Sequence, residues 1–83
     1  MIALQSVSTN GRSHLQVVSE ILGVCREPQS KVQIIEETGL SMRHLHFCLK
    51  YLLKQNLVKF HCRKRTYVTT EAGLRLQQQL PHD

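Results

Sequence analysis

Residues 38–58 read TGLSMRHLHFCLKYLLKQNLV, and the fold turns on how this stretch is divided. Gly39 stands where a left-handed residue ends a helix, and Ser41 is placed to cap the next one. Leu40, just before that cap, sits at the position that staples onto Leu45. Leu45, Leu49 and Leu52 then recur at helical spacing as far as Asn56, a residue that also tolerates the left-handed conformation, so the spacing predicts a helix over 41–55. Upstream, Ser30 with Gln33 three residues later forms a capping box that opens a helix of two turns or so carrying Val32, Ile34 and Ile35. Thr38-Gly39-Leu40-Ser41 is therefore a short turn between two helices.

Working outward, Ser13 with Gln16 makes another capping box. Behind it Leu15, Val18, Leu22 and Cys25 form an apolar stripe that Val17, Ile21 and Val24 widen, predicting a first helix that stops before Pro28. The residues before it, 1–12, lack periodicity and contain the turn dipeptide Asn10-Gly11, so they are expected to be a flexible arm. Downstream the period changes. Leu57-Val58-Lys59-Phe60-His61 and Thr66-Tyr67-Val68-Thr69 are rich in β-branched and aromatic residues and flank Cys62-Arg63-Lys64-Arg65, the pattern of a hairpin with a cationic tip. That tip has no Gly or Asn, so the sequence leaves its turn type open. Thr70 then caps a last helix in which Ala72, Leu76 and Leu80 share a face, ending at Pro81. The expected architecture is mainly α with a small β-hairpin, one domain over 13–80.

The chain has 83 residues, 41% hydrophobic and 20% charged, which is ordinary globular usage and room for one core. No apolar run approaches the ~18 residues that span a bilayer. MIALQSVSTN has neither a basic start nor a long apolar centre, so a soluble, unexported protein is expected, with no membrane partner. Cys25, Cys48 and Cys62 are odd in number and lack CxxC spacing, which points to a reducing compartment, by default the cytoplasm. Net charge is +5, but its placement says more. Between Thr38 and Thr70 lie Arg43, Lys50, Lys54, Lys59, Arg63, Lys64 and Arg65 and no Asp or Glu, so that stretch carries +7 and the remainder −2. A basic segment this concentrated belongs to one cationic face that meets a polyanion, or to an ordinary solvated surface.

Three helices followed by a two-stranded hairpin is the order of a winged helix. The chain from about Leu15 to Leu80 resembles the small archaeal winged helix-turn-helix transcriptional regulators. The likeness is carried by TGLS at 38–41, CLKYLLKQNLV at 48–58, similar to the family's "YLxxLxxxGLI", and TYVTTEAG at 66–73, similar to its "Y-x-x-T-x-x-G". Asn56 departs from the family's usual Gly, though both accept a left-handed cap. The resemblance implies a three-helix core, a two-stranded wing, a closing helix and a role in transcription regulation; its motifs are those of the scaffold and name no target.

The residues themselves lead to the same interface. With Leu45 inward, 100° per residue puts Arg43, Phe47, Lys50 and Lys54 near the opposite face and His46 on its flank. A helix-turn-helix lays its second helix in the major groove of double-stranded DNA and reads bases mainly with N-terminal residues, here Ser41, Met42, Arg43, His44, His46 and Phe47. Arg43 is the candidate for a bidentate contact to guanine, while Ser41, Lys50 and Lys54 suit phosphates. Arg63, Lys64 and Arg65 of the wing suit the flanking backbone or minor groove. Plainer readings exist for each. Phe47 equally serves as a dimer contact, His44 as a helix-start residue, and the wing tip as a solvated turn. A homodimer through the first and last helices, with Leu76 and Leu80, is the expected assembly.

Other chemistries have weaker support. His44 with Cys48, or His61-Cys62, could enter a mixed zinc site, but no paired ligand spacing accompanies them, and no metal or cofactor is expected. Cys62 beside three cations is the candidate redox-reactive thiol. No carboxylate dyad, Gly-rich phosphate loop or nucleophile motif is present, so catalysis is not expected. Two further functions use the same scaffold: a protein-interaction module in a larger assembly, and non-specific chromatin-type DNA binding.

Overall fold

A computed structural model of the chain describes residues 13–80; the arm expected at 1–12 lies outside the described residues. Four helices and one hairpin follow in the order α1 (His14–Val24), α2 (Lys31–Thr38), α3 (Met42–Lys54), β1 (Val58–His61), β2 (Thr66–Thr69) and α4 (Glu71–Gln79). Both capping boxes form. Ser13 Oγ accepts from Gln16 N–H and Ser30 Oγ from Gln33 N–H, and each glutamine side chain accepts from its cap's N–H at 2.8 Å. Gly39 ends α2 at φ 76, and the Thr38 hydroxyl braces the turn by donating to Ile34 O (2.8 Å) and accepting from Leu40 N–H (3.3 Å). The turn between α2 and α3 is thereby held at both ends.

The end of α3 is closed by Asn56 at φ 61. Its N–H donates to Leu53 O (3.1 Å) and that of Leu57 to Leu52 O (2.9 Å), a Schellman motif with asparagine at the left-handed position. The chain then enters an antiparallel hairpin with Val58 opposite Thr69 and Phe60 opposite Tyr67. The turn that the sequence leaves open is made by Arg65 at φ 53, a left-handed residue with a side chain. One core collects α1, α2, α3 and the hairpin: Val17, Val18, Ile21, Leu22 and Cys25 meet Ile34, Leu40, Leu45, Cys48, Leu49, Leu52, Val58 and Tyr67.

Two expectations about faces are corrected. Leu15 belongs to the predicted stripe of α1 but is 52% exposed, because it lies in the first turn, beyond the reach of the packed elements. Ala72 is exposed as well; the inward face of α4 runs through Gly73, with Leu76 and Leu80 half-buried against the core. Gly73 marks where α4 crosses the chain between α3 and β1. A Cβ there would strike the Leu57 carbonyl oxygen and lie 2.6 Å from Thr69 Cγ2. That carbonyl cannot retreat freely, since it accepts from Thr70 N–H at 3.0 Å.

Gly73→Ala should therefore destabilise the fold by about 1–2 kcal/mol, the overpacking outweighing the roughly 1 kcal/mol gain in helix propensity. A lower urea midpoint is the expected reading, and an unchanged or higher one contradicts the close crossing.

Candidate nucleic-acid interface

Helix α3 divides into an apolar inner face and a polar outer one. Leu45, Cys48, Leu49 and Leu52 are buried, while Met42, Arg43, His46, Phe47, Lys50, Tyr51 and Lys54 are exposed. At 100° per residue the outer surface forms two stripes: His46, Lys50, Arg43 and Lys54 on one side, Phe47 and Tyr51 on the other. Thirteen residues at 1.5 Å each make a rod of about 20 Å, long enough to lie along a DNA groove. Ser41 caps it, its Oγ accepting from His44 N–H at 3.1 Å.

His44 is placed differently from the rest of the predicted set. It is half-buried, and its Nδ1 is enclosed without a hydrogen-bond partner. Its backbone N–H serves the helix start while its ring does not complete a capping box, in contrast to Gln16 and Gln33. Arg63, Lys64 and Arg65 are exposed at the hairpin tip, and Lys59 is exposed on β1. Met42 of α3 and Arg65 of the wing border the same groove, so the wing stands beside the N-terminal half of α3. The structure thus brings Arg43, His46, Phe47, Lys50 and Lys54 onto one face of α3, with Met42 on its flank and Ser41 at its N-cap, and exposes Arg63, Lys64 and Arg65 on the adjoining hairpin.

Sequence reasoning missed Tyr51 and Lys31. The first was legible, since it follows Phe47 by four residues; the second was not, because it reaches the interface only through tertiary packing. Lys31, at the start of α2, places Nζ 3.5 Å from His46 Nε2 and adds an eighth cation to the seven of α3 and the hairpin.

The hairpin is fixed to the helices through main-chain bonds. Gln29 and Tyr67 exchange N–H···O bonds of 3.0 and 2.7 Å, and Thr69 N–H donates to Cys25 O at 2.8 Å. The Thr69 hydroxyl donates to Leu22 O at 2.7 Å. Carbonyls left over at the end of α1 are in this way satisfied by β2.

The cysteines fall into two environments. Cys25 and Cys48 are buried, and burial pushes the Cys25 thiol up to about 12 and raises that of Cys48. Tyr67 is raised as well, by burial and then by the charge of an ionised Cys25. Cys62 is exposed on the wing. Among the described residues no three His, Cys, Asp or Glu side chains gather as a metal site, and no helix is long and apolar enough to cross a membrane.

A helix-turn-helix with an adjoining hairpin defines a winged helix, a class whose members typically bind DNA. The winged helix-turn-helix family model matches residues 11–82, and the chain belongs to that family. No curated protein matches the sequence significantly.

Two measurements follow from the thiols. Under native conditions near neutral pH a thiol reagent should modify Cys62 alone, with Cys25 and Cys48 reacting only on unfolding; rapid labelling of all three contradicts the burial. The fold holds the Cys25 thiol protonated, so the stability this contributes is complete below pH 9.0 and is lost as pH rises toward about 12. A urea midpoint that does not fall over that range contradicts the environment assigned to Cys25.

Proposed function

We propose that the protein is a sequence-specific transcriptional regulator of the cytoplasm. Helix α3 docks in the major groove, and the wing lies on the flanking backbone. The observation that carries this reading is that Arg43, Lys50, Lys54, Lys59, Arg63, Lys64 and Arg65 are all exposed on α3 and the hairpin, with no Asp or Glu in that stretch. Ser41, Met42, Arg43, His46 and Phe47 stand at the end of the helix that reads base edges, with His44 recessed behind them. Arg43 takes guanine, Lys50 and Lys54 take phosphates, and Arg63, Lys64 and Arg65 take backbone or adjacent minor groove.

Two copies related by a two-fold axis through α1 and α4 would present two such faces about one helical turn apart. The exposed Leu15 on α1 supports that assembly, to which Leu76 and Leu80, packed on the core from α4, would offer their exposed edges. A protein-interaction role on the same scaffold draws on one observation, the aromatic stripe of Phe47, 66% exposed, and Tyr51.

Selection of bound sites from random duplexes, combined with salt titration, separates these readings. Arg43→Ala should relax preference at one base position, at a cost of about 1–3 kcal/mol on the preferred site. Replacing Arg63, Lys64 and Arg65 together by Ala should weaken binding to every duplex and flatten the slope of log K against log salt by up to roughly 3. The selected sites should be two-fold symmetric. Equal affinity for all duplexes would favour chromatin-type packing, and unchanged duplex affinity in both variants would leave the protein-interaction role.

A further inference from the structure

An open groove of about 530 Å³ lies between the first turn of α2, the first residue of α3 and the hairpin, lined by Ser30, Lys31, Val32, Met42, Phe60, Arg65 and Tyr67. Its volume is in the range of small-molecule sites. Three large apolar side chains that the fold leaves exposed converge on it: Val32 at 59%, Met42 at 47% and Phe60 at 45%. Tyr67 forms its floor, with a ring 4.8 Å from that of Phe60. Burying such surface favours whatever covers it.

The polar part of the lining has one sign. Lys31 and Arg65 stand on it and no Asp or Glu does. Arg65 is held there by a backbone at φ 53, a conformation that is strained for a residue with a side chain. Glycine would form this turn without that strain, so the turn alone does not call for arginine.

We propose that this groove is a binding site for a small apolar carboxylate, its hydrocarbon body lying over Val32, Met42 and the Phe60–Tyr67 ring pair and its carboxylate between Lys31 and Arg65. Val32 and Phe60, which the DNA-binding reading does not use, give the groove its apolar wall, and Lys31 and Arg65 give it a complement to one negative charge. Met42 and Arg65 also belong to the proposed DNA face, so ligand and duplex would compete for them; the ligand site itself is tested without DNA.

The probe is 1-naphthoate, with 1-naphthamide as the neutral counterpart, titrated into the full chain while the methyl resonances of Val32 and Met42 are followed by NMR. Naphthoate should shift both saturably, and naphthamide should bind at least about tenfold more weakly, the loss expected when a charge-assisted contact is removed. Val32→Glu puts a carboxylate on an exposed wall near a helix start, where it is favourable to the helix, and Arg65→Gly removes the cation while relieving the left-handed backbone. Both should fold and should weaken naphthoate binding by about tenfold or more. Shifts that fail to saturate at these methyls, equal binding of naphthamide, or unchanged affinity in the folded Arg65→Gly variant would overturn the proposal.

Discussion

The position of the wing beside α3 depends on the anchoring of strand β2 to the end of α1. A helix leaves its last carbonyls without partners, and here the Leu22 and Cys25 carbonyls are taken by the hydroxyl and N–H of one residue, Thr69. Two more bonds join Gln29 to Tyr67, so the segment after α1 adds a short third rung to a sheet that would otherwise have two strands. An isolated two-stranded hairpin is marginal in water. Docked in this way it becomes a fixed projection, and its basic tip keeps a constant relation to α3.

The remaining elements place α3 against that frame. Thr38 and Gly39 hold the turn before it, Asn56 and Leu57 close its end, and the Thr70 hydroxyl, donating to Asn56 O at 2.8 Å and accepting from Gly73 N–H at 3.0 Å, carries the same junction into α4. Inside, the ionisable groups Cys25, Cys48 and Tyr67 have raised pKa values and are neutral near pH 7, so the core adds no charge. Outside, the cations from Arg43 to Arg65 are exposed with no acid among them. The acidic residues of α2, Glu36 and Glu37, lie on the helix before the turn and are exposed there. Charge segregation in the sequence has thus become segregation between elements, with α3 and the hairpin carrying cations and no acid.

What was legible in the sequence was local. The serine–glutamine capping boxes, the Gly39 and Asn56 stops, the Thr70 cap and the period of Leu45, Leu49 and Leu52 each rest on interactions spanning four or five residues, and each is present. Helical period also set the outer face of α3 correctly, because a helix packed on one side has only one solvated side. The period says nothing about where a neighbouring element ends, which is why Leu15 and Ala72 lie outside the core. Contacts between distant segments were not legible: the tight crossing at Gly73, the approach of Lys31 to His46 and the gathering of Val32, Met42 and Phe60 into one groove depend on how elements meet. His44 shows a mixed case, correctly placed at the helix start yet recessed from the surface it was expected to join.

The central claim is that one face, made of the outside of α3 and the wing, meets duplex DNA. Backbone amide NMR of the protein with an unselected duplex at low salt tests it most directly. The account predicts shifts concentrated in residues 41–54 and 62–65 that shrink as salt is raised, with the outer surface of α4 unaffected. Shifts confined to α1 and α4 while α3 and the wing stay silent, or no binding at low salt, would contradict it.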